Sequence, residues 1–346
     1  DNDTMGTGFR LGYMVTDKTR HVWNYSYKDE EIEGVKAGAS EFISNQKGQY
    51  STSAISHKLT YFGVDDRFYL GDLDGDGLGD VCDSNPSGKI LRVPEEIATI
   101  QAAVDRSEDG DEIVVGPGTY IGAGDQDQVV DLLGKTIWLH SSNGPGVTII
   151  NGENRRRGII SIAGEGAGTR VEGFAVINGR TLEPRGGGGM HIFDSSPTVV
   201  NCVFRNNAVF DDGGGMSIWL SRPSIVGCVF ENNRTNLGGG GMFNNESDPI
   251  LRSCIFRGNS ALGGGETGGG GAINNIRSSP SLINCVFNNN ASRGLGGAMY
   301  NRNSFLTLVN CTFKYNTAEV GDKSAGGAIY STVSSPEIAG EGIPHA

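Results

Sequence analysis

The sequence predicts an all-β chain, most of it a parallel β-helix solenoid, preceded by a small N-terminal β domain and a short capping helix. Three observations carry that prediction. A glycine-led phrase recurs along the second half, as "GGGGM" at 186, "GGGM" at 213, "GGGGM" at 238, "GGGAI" at 269, "GGAMY" at 296 and "GGAIY" at 326. Cys202, Cys228, Cys254, Cys285 and Cys311 stand 26, 26, 31 and 26 residues apart, so each holds the same place in a repeat. Glycine makes up 55 of 346 residues, far above its usual share of about 7%, yet without a collagen period. A fixed period of this length marks a solenoid, in which no single repeat can bury its apolar face alone.

Residues 1–70 differ in kind, being richer in aromatic and charged side chains and poor in glycine. "FRLGYMVTD", "HVWNYSY" and "HKLTYFGV" read as strands, and "DEEIEGVKAGASEFI" as a short helix or a charged loop. Residues 71–89 read as a calcium-binding loop and linker, on the motif "DLDGDGLGDVCD". The solenoid is expected over 90–346, opening with "ILRVPEEIATIQAAVDRSEDGDEIVVGPGTY", a strand, a short amphipathic helix, a turn and a strand. Ile97, Ile100, Ala103 and Val104 mark one face of that helix. Less regular turns follow in "KTIWLHSSNGPGVTIING" and "TRVEGFAVINGR", where Phe174 takes the place of the cysteine.

In the regular copies Pro197, Pro223, Pro249 and Pro280 each stand five residues before a cysteine, and Pro336 holds the corresponding place in a fading last copy. Phe204, Phe230, Phe256, Phe287 and Phe313 come two after the cysteines. Asn207, Asn233, Asn259, Asn290 and Asn316 follow three residues later. "GGGETGGGG" accounts for the longer step as a loop insertion, and Glu341 sits where the last cysteine is due. Pieces such as "TVVNCVF" are short, apolar and β-branched, whereas the glycine and asparagine between them weaken helices. Stacked turns about 4.8 Å apart would place each residue on its own copy. Cysteine and phenylalanine then fill the interior, asparagine amides form a ladder, and glycines permit tight corners.

The pairing of "GGAI"-type phrases with "FRNN", "FENN", "FRGN", "FNNN" and "FKYN" resembles the repeats of polymorphic outer membrane proteins. More broadly, residues 90–340 resemble the pectin-lyase-like superfamily. That resemblance implies a right-handed β-helix whose opening helix covers the first turn. It implies no single activity, since the superfamily includes adhesins, structural proteins, lyases and hydrolases.

"DLDGDGLGDVCD" is the one metal motif. Asp72, Asp74, Asp76, Asp80 and Asp83 fall at loop positions 1, 3, 5, 9 and 12, with Gly77 at the sharp turn and the Leu78 carbonyl at position 7. This spacing wraps hard oxygen ligands around Ca2+. The stretch resembles thrombospondin type 3 repeats and the calcium loops of FG-GAP propellers. That likeness would give Cys82 a cysteine partner, which the sequence does not offer. A structural Ca2+ in such a loop implies an extracellular setting.

The formal charge of −12 opposes a nucleic-acid partner, whose phosphates need a basic face, and an anionic membrane as well. No apolar run approaches the roughly 20 residues of a membrane helix. The start at Asp1, without methionine, is expected of a processed or partial product. β-Helix lyases, by resemblance, use clustered acids and a basic side chain, and the hydrolases use grouped aspartates. The candidates for that chemistry are Asp211 and Asp212 in "FDDGGG", with His191, Asp194 and Arg185 near the same corner of their turn. Arg252 reads as an outward side chain. Of the glycosylation sequons, Asn233 and Asn290 belong to the ladder and should be buried. The expected function is a non-enzymatic, Ca2+-stabilised surface protein, adhesive or structural, with self-association through the solenoid ends or the N-terminal domain. A polysaccharide lyase or hydrolase, or a glycan-binding β-helix, is the alternative.

Overall fold

The computed structural model describes residues 88–124, 126–182, 186–319 and 326–332, and the backbone alone of 264–268 and of strands 8–16, 19–28, 52–61 and 337–339. Residues 1–69 and 70–346 are two separate units. In the first, strands Gly8–Thr16, Thr19–Lys28 and Thr52–Tyr61 make an antiparallel meander, the central strand pairing with both others. All three strands read from the sequence are present. The stretch 29–43 lies outside the described residues.

The second unit is a parallel β-solenoid. Its strands stack into three long sheets, here called I, II and III in the order in which a full turn visits them, plus a short sheet IV of five strands. One turn runs Met216–Trp219 in sheet I, Ser224–Val226 in II, Val229–Glu231 in III and Arg234–Thr235 in IV. Each strand pairs in parallel with its own copy one turn on, so Phe204 faces Phe230, Phe230 faces Phe256, and Phe256 faces Phe287. The stack opens on Ile90–Val93 and Glu112–Val115, both in sheet II.

Helix α1 (Ile100–Arg106) covers the first turns, burying Ile100, Ala103 and Val104, while Ile97 packs from the turn before it. Thr99 caps its N-terminus by accepting the Ala102 N–H at 3.1 Å. Lys135 Nζ donates to the carbonyls of Val104, Asp105 and Ser107, so a cation satisfies the end where backbone acceptors are left over.

The interior is columnar. Phe204, Phe230, Phe256, Phe287 and Phe313 stack with ring centroids 4.6–5.1 Å apart and planes within 12° of parallel. Isolated rings prefer offset or edge-on pairs, so this spacing follows the strand repeat. Cys202, Cys228, Cys254 and Cys285 are buried free thiols and Cys311 is half-buried. Their sulfurs donate weakly to carbonyls, as Cys254 does to Ile225 and Arg252, both at 3.4 Å. Phe174 occupies the cysteine position one turn earlier, because Ala175 pairs with Val203.

The asparagine ladder is fully bonded. Asn233 Nδ2 donates to Asn259 Oδ1 at 3.0 Å and to the Phe204 carbonyl at 2.9 Å. Its Oδ1 accepts both the side-chain and the backbone N–H of Asn207 at 3.0 Å. The same bonds recur through Asn259, Asn290 and Asn316. At the head of the ladder Gly179 stands where asparagine would stand, and its N–H donates to Asn207 Oδ1 at 2.7 Å. A Cβ on Gly179 would come within 1.9 Å of the Gly188 carbonyl, so only glycine fits there.

Two further ladders lie in the interior. Asn244, Asn275, Asn301 and Ser331 are linked side chain to side chain at 2.7, 2.8 and 3.1 Å. At the corner between sheets I and II, the N–H of Ser195, Ser221, Ser247 and Ser278 each donates to the hydroxyl of the next copy, at 3.1–3.2 Å, ending on Ser304. Glu165 heads this column, accepting from the hydroxyls of Ser161 and Ser195 at 3.0 and 2.8 Å and from the N–H groups of Ala163 and Gly134. Burial alone would raise its carboxyl, but these donors outweigh burial and hold it below the usual range.

The corners carry a finding the glycine count concealed. Many left-handed corner positions hold asparagine (Asn201, Asn206, Asn232, Asn284, Asn289 and Asn310), whose short polar side chain tolerates that conformation. "GGGETGGGG" also departs from a plain loop, because Ser260–Gly269 extends the sheet IV strand and pairs irregularly with Ala291–Leu295.

The ladder makes a sharp prediction. Asn259→Ala removes a side chain that uses all its hydrogen-bonding positions and leaves the amide of Asn233 without its acceptor. It should lower unfolding stability by about 3 kcal/mol. Asn316→Ala, at the half-buried end, should lower it by about 1 kcal/mol. Urea titrations of both variants would check the order, and equal losses would contradict the ladder.

Candidate functional site

The metal candidates Asp72, Asp74, Asp76, Leu78, Asp80 and Asp83, together with Cys82, lie outside the described residues, as does Arg185. Among the described residues, no three His, Cys, Asp or Glu side chains converge as metal ligands would.

The structure brings three of the remaining catalytic candidates, Asp211, Asp212 and His191, to one corner and leaves Asp194 at another. Asp211 and Asp212 sit in the bend that enters strand Met216–Trp219, where the chain turns into its glycine phrase. His191 lies in strand Met190–Phe193, alternating with the core residues Met190 and Ile192, so it faces outward. It is nevertheless buried, at 7% exposure. The glycine segment explains this, because a Cβ on Gly187 would fall 2.9 Å from His191 Cβ. The Gly187 N–H donates to the Asp212 carbonyl at 3.3 Å and to the Gly213 carbonyl at 3.0 Å. His191 and Asp212 thus flank the same glycine. Asp194, at the far end of that strand, is an exposed left-handed corner residue.

Asp211 and Asp212 are tied into the coil. The Asp211 carbonyl accepts the Thr235 hydroxyl and the Leu237 N–H. Asp212 Oδ1 accepts the Gly238 N–H at 2.9 Å, one turn on. Burial pushes the Asp212 carboxyl up to about 7, the neighbouring Asp211 charge adds to the rise, and the Gly238 bond opposes it. A carboxylic acid titrating near neutrality suits proton transfer, but this one is half-buried and bonded to the backbone of the next turn. Arg252, as expected, points out and is exposed.

A second constellation, which sequence reasoning missed, lies on the outer face of sheet II. Glu112, Trp138 and Arg170 are paired in register in successive turns, with His140 and Glu172 in the column beside them. The His140 ring stacks on Trp138 with centroids 4.2 Å apart and donates from Nε2 to Glu112 Oε1 at 2.5 Å. The Arg170 guanidinium lies over the indole, 5.7 Å from its centroid, and bonds Glu172 Oε2 through Nε at 2.8 Å and Nη2 at 2.7 Å. Beside them a cavity of about 390 Å³ is lined by Gly110, Asp111, Thr136, Ile137, Trp138, Gly168 and Arg170. The sequence signal was faint, since these residues fall in irregular turns with 26 residues from Glu112 to Trp138 and 32 from Trp138 to Arg170.

No helix among the described residues is long and apolar enough to cross a membrane. No curated protein and no solved structure matches the chain. A family model described as the right handed beta helix region does match, over residues 158–341, more than half of the 346. That stretch coincides with the regular coils whose phenylalanine, cysteine, asparagine and serine columns are described above, and the chain belongs to the right-handed β-helix family.

Proposed function

We propose that this chain is a non-catalytic extracellular surface protein, a rigid β-helical scaffold with an adhesive or structural role, stabilised by Ca2+ held at Asp72, Asp74, Asp76, Asp80, Asp83 and the Leu78 carbonyl. The observation that carries the reading is the engagement of the repeated side chains in internal ladders, which leaves them no freedom to act as reagents. The acids nearest to a catalytic grouping support it too, because Asp212 is bonded to backbone and His191 is covered by the glycine segment. The parallel stack supports a self-associating reading, since any strand at the end of such a stack presents unpaired backbone groups to a further strand.

One observation favours the rival reading, a lyase or hydrolase of acidic polysaccharide. The Asp212 carboxyl, pushed up to about 7 beside Asp211 and on the same glycine as His191, has the titration expected of a general acid.

The two readings separate by turnover. Incubation with a polysaccharide panel should release neither reducing nor unsaturated ends, and Asp211→Ala/Asp212→Ala should match the parent chain; release lost in that variant would make the protein an enzyme.

Asp212 also makes a prediction in pH. A carboxyl with a folded pKa near 7 and an ordinary unfolded pKa binds its proton more tightly when folded. Stability is therefore fully present below about pH 4 and falls as pH rises to about 7. Asp212→Asn keeps the acceptor for Gly238 and should stabilise the protein at pH 8, by on the order of 1–3 kcal/mol, with no gain at pH 4. Thermal melts at both pH values would check this.

For the metal, millimolar Ca2+ should raise the melting temperature and a chelator should lower it again. Asp74→Asn/Asp76→Asn should abolish the difference, and calorimetry on the intact chain should count one site.

A further inference from the structure

The outer face of sheet II carries a constellation that belongs to none of the repeated interior columns. In the regular coils the column containing Trp138 is filled by Thr198, Ser224, Ser281 and Thr307, small side chains that leave the face flat. Ile250 is the one aliphatic residue among them. At Trp138 the column instead bears the largest aromatic side chain, set between Glu112 and Arg170.

Three features point to a ligand here. First, the cavity of about 390 Å³ beside Trp138 lies within the range of small-ligand sites, about 300–1,000 Å³. Second, its floor is kept low by glycine. Gly110 takes a left-handed corner, and a Cβ on Gly168 would come within 2.8 Å of Thr136 Cγ2. Third, Trp138 Nε1 is buried and has no hydrogen-bond partner among the described residues. A buried donor without an acceptor is costly and uncommon in native proteins. The Trp138 side chain is only half-buried, so a small rotation of the ring, of the kind common on binding, presents that donor to a seated molecule.

The wall chemistry narrows the class. Ile137, the glycines and the indole supply an apolar surface, Thr136 and Arg170 supply hydrogen-bond donors, and Trp138 Nε1 adds another once the ring has turned. Asp111 is already engaged, accepting the N–H groups of Lys89 at 2.8 Å and Glu108 at 2.7 Å. Glu172 neutralises Arg170, and Glu112 and Asp111 add further negative charge at the site, on a chain of net charge −12. Carboxylated ligands are therefore repelled. A ring with one apolar C–H face and a periphery of oxygen acceptors fits these walls. We infer that Trp138, Arg170, Thr136 and the glycine floor at Gly110 and Gly168 form a binding subsite for a neutral pyranose unit of a glycan.

This inference stands apart from the scaffold reading and from the metal, since neither turnover nor Ca2+ enters it. The test uses the intact chain labelled with 15N, whose indole N–H signals arise from Trp23, Trp138 and Trp219. Tetrasaccharides of glucose, mannose, galactose and N-acetylglucosamine are titrated separately, with tetragalacturonate as the acidic counterpart. At least one neutral tetrasaccharide should shift the Trp138 indole signal saturably, and tetragalacturonate should bind more weakly. Trp138→Phe, which keeps an aromatic ring but lacks the donor, should weaken calorimetric affinity about fivefold, the worth of one hydrogen bond. Arg170→Ala, on the half-exposed rim, serves as the second variant and should weaken it by a similar factor. The inference is overturned if no neutral sugar moves the Trp138 signal, if tetragalacturonate binds more tightly than every neutral sugar, or if a folded Arg170→Ala chain binds as the parent does.

Discussion

The interior of the solenoid is governed by one constraint. Parallel coils hydrogen-bonded in register place each residue on its own copy about 4.8 Å away. An inward polar group therefore meets a group of the same kind, and only side chains that can both donate to and accept from themselves survive there. Asparagine does so through its amide, and serine through its hydroxyl with the backbone N–H of the preceding copy. Phenylalanine and cysteine have little to satisfy and need only fit the cross-section.

The same constraint makes the ends of the columns informative. A ladder that repeats indefinitely is self-sufficient, but its first member has an unmatched side. The long asparagine ladder closes on the N–H of Gly179, and the serine ladder on Glu165, whose four donors hold a buried carboxylate in its charged form. The Asn244 ladder is less complete: Asn244 pairs with Ile218 in the preceding turn, and its Oδ1 is buried without a partner. Repetition and satisfaction go together, and the fold concentrates its polar cost where one kind of turn gives way to another.

Why the core was readable from the sequence while the outer face was not follows from this. The columns Phe204–Phe313 and Asn207–Asn316 repeat because stacking demands it, so counting spacings found them, and Phe174 was placed in the cysteine column in the same way. The serine ladder was equally present in the sequence, two residues before Pro197, Pro223, Pro249 and Pro280. It was hidden because serine beside proline and glycine looks like ordinary turn chemistry. The fifth copy has Leu306 in the proline position, buried at 1% exposure, so that position asks for an apolar side chain as much as for a turn. Asp212 and His191 were assigned to one corner from the repeat alone. The burial of His191 is not legible there, because it depends on the glycine segment lying over an outward-facing strand residue.

Outward positions obey no such demand, and there variation carries meaning. A side chain that faces solvent need not match the copy above it, so it is free to diverge wherever divergence is useful. Across sheet II the regular coils place mostly small or β-branched residues outside, whereas the early, less regular turns place Glu112, Trp138, His140, Arg170 and Glu172 there in mutual contact. Those turns precede the head of the Asn207 ladder and are held by aliphatic side chains and the capping helix. A column of identical residues is a structural necessity, but a cluster of unlike residues on the outside of the same coil has no such cause. In a solenoid, recognition is to be sought where the pattern is broken on the outer face, and here the break falls around Trp138.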